Sequence, residues 1–158
     1  EHCDSLTSIE IPYSVKNIGV DAFTSTGCYR NSGNWEDNVL YIDGCLIVAK
    51  TNISGDRSIK KGTRLIADKA FYGCSALISV TIPDSVITID YYAFFGCDNL
   101  ASVTFTDTND WYYTSNSNYT DGTAIDVTDT AQNATYLKDT YYDKYWYKDY
   151  NNFAYFHL

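Results

Sequence analysis

Residues Cys74–Cys97 read CSALISVTIPDSVITIDYYAFFGC, and the rest of the chain is organised around copies of this stretch. A second copy opens at Cys3, and a third opens at Cys97 but is lost after Phe105. A fourth, found by counting backwards from Cys74, begins at Ile59. Counted from its cysteine, the first copy repeats the pattern at Leu6, Ile9, Ile11, Pro12, Val15, Ile18, Ala22 and Phe23. So many matches at one offset indicate an internal repeat.

Each unit is too small to bury its own apolar side. Leu77, Val80 and Ile82 fall on one face of a short strand. Pro83 then ends the strand because it has no N–H to donate. Successive copies must therefore stack, which predicts a β-rich solenoid of short parallel strands. In it we expect Leu6, Leu77 and Leu100 to lie in single file.

The repeat resembles a known family. The run C-x-x-L-x-x-[VI]-x-[IF]-P-x-x-V-x-x-I-x-x-x-A-F-x-x-C, over residues 3–23 and 59–105, is similar to the BspA-type leucine-rich repeat of bacterial surface proteins. The resemblance implies a right-handed solenoid on a secreted or surface-attached protein, an adhesin or binding scaffold that carries no catalytic residues. The chain departs from the pattern at 24–58, at Asp90 (Gly19 in the first copy) and after Phe105.

These departures suggest the domain organisation. We expect a solenoid at 1–105 with a loop and hairpin inserted at 24–58, followed by a C-terminal loop and cap at 106–158. The hairpin is predicted by VLYIDGCLIV at 39–48, because Asp43-Gly44 suits a type I′ turn. The hairpin is apolar on both faces and is expected to pack against the solenoid. The first residue is not Met, and we expect the chain to be part of a longer protein with further repeats upstream.

The aromatic tail is expected to close the stack. Ala134, Leu137, Tyr141 and Tyr145 share one stripe at helical spacing, and Asn133 is placed to act as N-cap. An open solenoid end needs a cap, so the preferred interpretation is a terminal capping helix. The alternative is that Tyr142, Trp146 and Tyr147 form a sugar-stacking platform.

Charge and cysteine usage narrow the function. The net charge of −9, from 11 Lys and Arg against 20 acids, argues against nucleic-acid partners and anionic membrane surfaces. No apolar run is long enough for membrane insertion. The five cysteines include repeat positions that do not suit disulfide geometry, so we expect free, buried thiols.

We predict no catalytic residues, no cofactor and no metal site. The sequence has no G-x-S-x-G, H-E-x-x-H or phosphate-binding glycine loop, and no C-x-x-C. Residues 106–135 are rich in Asp, which leaves a calcium loop open as an alternative to plain solvated loop.

The predicted function is a non-catalytic adhesion scaffold at the cell surface that binds a protein partner. Its ligand would contact an outward polar row and the loop aromatics: Glu10, Ser58, Thr81, Thr104, Trp35, Trp111, Tyr112 and Tyr113. The alternatives are a carbohydrate-binding module that uses exposed Trp and Tyr, and a purely structural spacer. Self-association through the open N-terminal solenoid edge is a further expectation.

Overall fold

The structure, a computed structural model, describes residues 3–148. The strands are β1 (Trp35–Glu36), β2 (Val39–Ile42), β3 (Cys45–Ala49), β4 (Gly55–Ser58), β5 (Leu65–Ile66), β6 (Leu77–Ile82), β7 (Thr88–Ile89), β8 (Ser102–Phe105), β9 (Trp111–Thr114), β10 (Thr123–Ala124) and β11 (Tyr145–Lys148). The helices are α1 (Gly27–Arg30) and α2 (Thr130–Thr135), with a 3-10 turn at Ser32–Asn34 and a π-helical turn at Tyr136–Thr140.

The first strands of successive repeats form one parallel sheet, in the order β4-β6-β8. Val80 pairs with Arg57 on one side and with Val103 on the other. Strand β6 ends at Ile82, directly before Pro83, as the sequence predicts. The predicted repeat is therefore confirmed for the copies that start at Ile59, Cys74 and Cys97.

A larger sheet faces this one, in the order β1-β2-β3-β5-β7-β11-β9-β10. Its parallel centre, β3-β5-β7, contains the second strands of successive repeats, in which Leu46, Ile66 and Ile89 are aligned. These three side chains point towards the small sheet and share its core with Leu77, Val80 and Leu100. The core therefore lies between the two sheets.

The predicted hairpin is present as β2 and β3. Asp43 and Gly44 both have positive φ, at 47° and 72°, as a primed turn requires. Strand β3 joins the large sheet beside β5, whereas β4 supplies the first strand of the second repeat. The hairpin thus packs against the repeats, as expected.

The corner of each repeat has the same backbone geometry even where the residues differ. The left-handed conformation recurs at Asp21, Lys69 and Tyr92, with φ of 61°, 56° and 54°. It recurs four residues later at Ser25, Gly73 and Gly96. The first copy thus has a repeat corner although its sequence lacks the corner glycine.

The first copy nevertheless does not stack on β4, and the expected single file of Leu6, Leu77 and Leu100 is wrong at Leu6. Residues 3–26 form no strand. They cover the other face of the large sheet, where Ile11 and Ile18 pack in a second core. The members of that core are Ile11, Ile18, Phe23, Cys28, Leu40, Ile42, Cys45, Ile47, Leu65 and Ala67.

A charged side chain explains the displacement. By register, Ile9 of a stacked first copy would pack beside Arg57, which already occupies an inward position of β4. Burying that guanidinium against an aliphatic side chain would cost hydration that its Nε bond to the Ser54 carbonyl replaces only in part.

The C-terminal segment covers the β8 end of the core, but its predicted helix is wrong in its bounds. The helix begins after Asp129, whose side chain accepts the N–H groups of Ala131 and Gln132, so Asp129 and not Asn133 is the N-cap. Tyr145 is not helical, because Tyr145–Lys148 is inserted between β7 and β9 as an antiparallel strand. Residues 149–158 of the predicted cap lie outside the described residues.

Candidate binding surface

Three hydroxyl side chains form a row across the outer face of the small sheet. The register aligns Ser58 with Thr81 and Thr81 with Thr104. A neighbouring row contains Asp56, Ser79 and Ser102. Each row is set by the period of two, because the inward neighbours of Thr81 are Val80 and Ile82, both in the core. The structure therefore brings together three residues of the predicted polar row.

Hydrogen bonds join adjacent repeats on this face. Ser79 Oγ donates to Asp56 Oδ1 at 2.7 Å. Asn99 Nδ2 donates to the Ser75 carbonyl at 2.8 Å. Such bonds between neighbouring repeats hold the rows in a fixed relation, which lowers the entropy cost of binding a ligand across them.

An exposed apolar residue borders the rows, and it is not among the binding residues predicted from the sequence. Ile78 is 49% exposed. The register shifts by one residue opposite it, between Gly55 and Asp56, so that Ile78 and Ser79 both lie between the inward Leu77 and Val80. The spacing Leu77-x-x-Val80 indicates this irregularity in the sequence. Strict alternation would leave one residue between two inward positions, whereas here there are two.

The predicted residue Glu10 is exposed but lies apart from the row. It belongs to the first copy, which packs on the large sheet. Next to it, the N–H of Ile11 donates to Asp43 Oδ2 at 2.6 Å, and Arg64 Nη2 donates to the Ile11 carbonyl at 2.5 Å. These contacts hold Glu10 beside the hairpin turn rather than beside Ser58.

Trp35 is half-buried in a small aromatic group near the hairpin. Its Nε1 donates to the Tyr29 carbonyl at 2.7 Å, and the Tyr29 ring meets it edge-on with centroids 5.3 Å apart. Lys50 Nζ lies 5.0 Å from the indole centroid. The ring is therefore engaged on two sides by protein groups.

Trp111 is not a surface aromatic, which corrects its selection as a ligand-binding residue. It is only 2% exposed, and its ring packs against Phe105 with centroids 4.9 Å apart. Its Nε1 donates to the Asp107 carbonyl at 3.0 Å. The indole fills the core where the repeats end, a role that an isolated Trp in a polar stretch does not reveal.

Tyr112 and Tyr113 are half-buried and are packed against aromatic partners. Tyr112 stacks on Tyr147 with centroids 5.6 Å apart, and Tyr113 stacks on Tyr141 at 4.1 Å. Tyr113 also borders an open cleft of about 630 Å³. The other lining residues are polar: Thr114, Ser115, Asn116, Ser117, Asp121 and Thr123.

The aspartates of residues 106–135 are used in local structure. Asp126 accepts from the backbone and the hydroxyl of Thr128, and these bonds lower its pKa. Burial acts to raise the pKa of Asp107, but hydrogen bonds from Lys148 and Asn109 outweigh it, and the pKa is lowered. Within residues 3–148, no three His, Cys, Asp or Glu side chains cluster as metal ligands.

Asp90 is a buried carboxylate between the large sheet and the first copy. It is 3% exposed, and burial raises its pKa to about 7. Its Oδ2 accepts the N–H of Ile18 at 3.0 Å, and its Oδ1 accepts the N–H of Tyr91 at 2.9 Å. Both bonds act to lower the pKa, whereas the nearby Asp68 raises it. The arrangement is that of a tether for the first copy.

All five thiols are free, and the expectation that they are buried is wrong only for Cys3. Burial raises the pKa of Cys74 to about 11 and that of Cys97 to about 12. Cys97 Sγ donates to the Phe71 carbonyl at 3.1 Å, so the cysteine of one repeat bonds to the corner of the previous one. Thr26 takes this corner position after the first copy, but its hydroxyl donates to the Phe23 carbonyl of its own repeat, three residues earlier.

No helix within residues 3–148 combines the length and the apolar character needed to cross a bilayer. None of the curated proteins matches the chain. One solved structure similar to it is that of a leucine-rich cell surface protein from Faecalibacterium prausnitzii A2-165, with 32% identity and a TM-score of 0.45. The match covers 63% of this chain and 29% of that protein.

The family comparison covers nearly all of the described residues. The model of the BspA type leucine rich repeat region matches in six copies, over residues 1–120 and 50–148. These ranges include the stacked strands of the small sheet and the repeat corners. The chain therefore belongs to the BspA-type leucine-rich repeat family of bacterial cell-surface proteins.

Proposed function

We propose that this chain is a non-catalytic scaffold at the bacterial cell surface that binds a protein partner. The binding surface is the outer face of the small sheet, with Ser58, Thr81 and Thr104 in one row and Ile78 as an apolar anchor beside it. The supporting observation is the parallel register, which repeats the same polar position from strand to strand. Residues 106–148 cover the end of the stack and serve as its cap, while 3–105 form the repeat region.

The surface has the chemical features of a recognition face. A regular array of hydroxyl groups offers both donors and acceptors to a partner. Asp56, in the neighbouring row, adds an exposed carboxylate to this face, and the whole chain is acidic. We expect a partner with matching donors and basic groups, since complementary charge favours encounter.

A second candidate function is carbohydrate binding in the cleft beside Tyr113. The cleft joins one half-buried aromatic ring to several hydroxyl and amide groups, which is the combination that sugars require. Tyr112 and Trp35 lie outside it, and Trp111 is in the core. The alternative sugar-stacking platform of Tyr142, Trp146 and Tyr147 is contradicted, because Trp146 and Tyr147 are only 1% and 8% exposed. The candidate sugar site is therefore the cleft beside Tyr113.

The test uses an array of purified extracellular proteins and a glycan array, each probed with the labelled chain. We expect protein binding that the double variant Thr81→Arg/Thr104→Arg weakens at least about tenfold, because two bulky cations would project from the row. The matched control, Thr51→Arg/Gln132→Arg, adds the same charge at exposed positions elsewhere and should bind as the wild type does.

Protein binding that survives the row substitutions, or no protein binding at all, contradicts the proposal. Glycan binding that Tyr113→Ala abolishes and the row variant leaves intact supports the second function instead.

A further inference from the structure

The outer edge of β4 is unpaired in the described part of the chain. The N–H groups of Gly55 and Ile59 donate towards β6, to Ala76 at 3.0 Å and to Thr81 at 3.0 Å. Since peptide groups alternate along a strand, those of Asp56 and Ser58 point to the opposite side. Strand β4 is the last strand of its sheet there. Its edge is therefore a template for one more parallel strand.

Arg57 occupies a position that belongs to the core in the other repeats. It pairs with Val80, which pairs with Val103, and both valines are buried. Arg57 Nε donates to the Ser54 carbonyl at 3.1 Å, and none of the ion pairs among residues 3–148 includes it. A charge pointing inward on an edge strand prevents indiscriminate pairing.

A cleft lies alongside this edge. Its volume is about 220 Å³, and its walls are β4 and the hairpin strand β2. Val39, Ile59 and Phe71 contribute apolar surface to it, and Arg57 projects into it. The lysine at its mouth, Lys60, is paired with Glu36 at 2.9 Å. Arg57 is the other cation of this cleft. Glu36, Asp37 and Asp56 also line it, and Asp56 accepts a hydrogen bond from Ser79 Oγ.

In two registers, pairing of two copies of β4 is disfavoured by the charges on the strand. When two copies of a strand pair antiparallel about a twofold axis, the residue on the axis lies opposite the same residue of the other copy. Centring on Asp56 brings two carboxylates together, and centring on Arg57 brings two guanidinium groups together. Like charges directly opposite each other destabilise a sheet.

We propose that the β4 edge binds an extended segment of a protein partner that carries Asp or Glu opposite Arg57. The segment pairs in parallel with the backbone of Asp56 and Ser58, and its carboxylate meets the guanidinium inside the cleft. Backbone bonds provide the attachment, and the ion pair selects the sequence. This edge adjoins the outer face, because the side chains of Asp56 and Ser58 belong to the rows there, whereas the proposed segment bonds to their backbone.

The probes are peptides with the sequence of residues 75–84, SALISVTIPD, which already forms a parallel partner of β4. One keeps Val80, one carries V80E and one carries V80K. We expect the V80E peptide to bind at least about tenfold more tightly than the V80K peptide by fluorescence anisotropy, equivalent to about 1.4 kcal/mol. Backbone amide shifts in NMR spectra should centre on Asp56–Ser58.

Two variants of the chain test the geometry. Arg57→Glu should reverse the preference, so that V80K binds more tightly than V80E. Ser58→Pro removes an N–H group that points to the open edge of β4, where proline is tolerated. It should weaken the binding of all three peptides. Arg30→Glu changes the charge equally at an exposed site that does not line the cleft, and should leave the order unchanged.

Equal affinity for the three peptides contradicts the role of Arg57. Absence of binding at millimolar concentration, or amide shifts centred on another surface, contradicts the proposed edge. A chain that dimerises through β4 at micromolar concentration, as detected by sedimentation and abolished by Ser58→Pro, would show that the partner is a second copy.

Discussion

At the scale of single residues, Asp90 shows how a departure from the repeat acquires a role. The first copy has Gly19 where this repeat has Asp90. In the structure the Asp90 carboxylate accepts the N–H of Ile18, one residue before that glycine, across the interface between the two cores. The departure therefore supplies a contact between one repeat and another.

We expect Asp90 to make stability depend on pH. Its pKa is raised to about 7, so the native state holds the proton more tightly than the unfolded chain does. The free energy of unfolding should therefore fall as the pH rises from about 4 to about 7, by up to about 4 kcal/mol from this group. Urea unfolding across this range measures the slope.

The variant Asp90→Asn does not titrate and should lose this part of the slope. Asp84→Asn removes the same charge from an exposed site and is the control. Identical slopes for the wild type and Asp90→Asn would contradict the assignment of a raised pKa to Asp90.

At the scale of elements, a buried amide joins α2 to the last repeat strand. Asn133 Nδ2 donates to the Val103 carbonyl at 2.9 Å and to the Val127 carbonyl at 2.8 Å. The first bond lies at the β8 edge of the small sheet. It occupies a backbone group that would otherwise be open to another strand.

Replacing Asn133 by Ala should destabilise the fold by about 2 kcal/mol, because two buried carbonyls would lose their donor. Denaturant unfolding measures the change. Gln132→Ala, at an exposed position of the same helix, is the control and should stay within about 0.5 kcal/mol of the wild type. A loss no greater than that of the control would show that α2 is not held by this side chain.

The tail also shows what the sequence reveals at this scale. The stripe of Ala134, Leu137 and Tyr141 predicts a helical segment, and a helical region does occupy 130–140. The same stripe wrongly extends to Tyr145, because Tyr145–Lys148 is a strand bonded to β7 and β9, in which Trp146 and not Tyr145 lies in the core. Periodicity over so few residues does not separate the two conformations when tertiary pairing decides.

At the scale of the whole molecule, the repeat offset predicts the register of the polar rows. The alignment of Ser58, Thr81 and Thr104 follows from this offset. Stacking places equivalent positions of successive repeats side by side, and this holds for outward side chains as well as for inward ones. The offset does not predict that the first copy leaves the stack. Two features fit that outcome. Arg57 is a charge at an inward position of β4, and the hairpin has a second apolar face, which the first copy covers.

The sequence does not predict the burial of Trp111 either, because the strand that covers it, β11, comes from the tail. Lys148 pairs with Trp111 across β11 and β9, and its Nζ lies 5.7 Å from the indole centroid. Only the folded arrangement of distant segments creates that environment. Exposed aromatics are therefore the least predictable part of the candidate surface.

The parallel register of β4, β6 and β8 is the basis of both binding proposals, and NMR tests it most directly. Cross-strand NOEs between backbone protons should connect Asp56–Ser58 with Ser79–Thr81, and Ser79–Ile82 with Ser102–Phe105, in the parallel pattern. A pattern shifted by one residue, or an antiparallel one, would turn the rows away from the outer face and contradict this account.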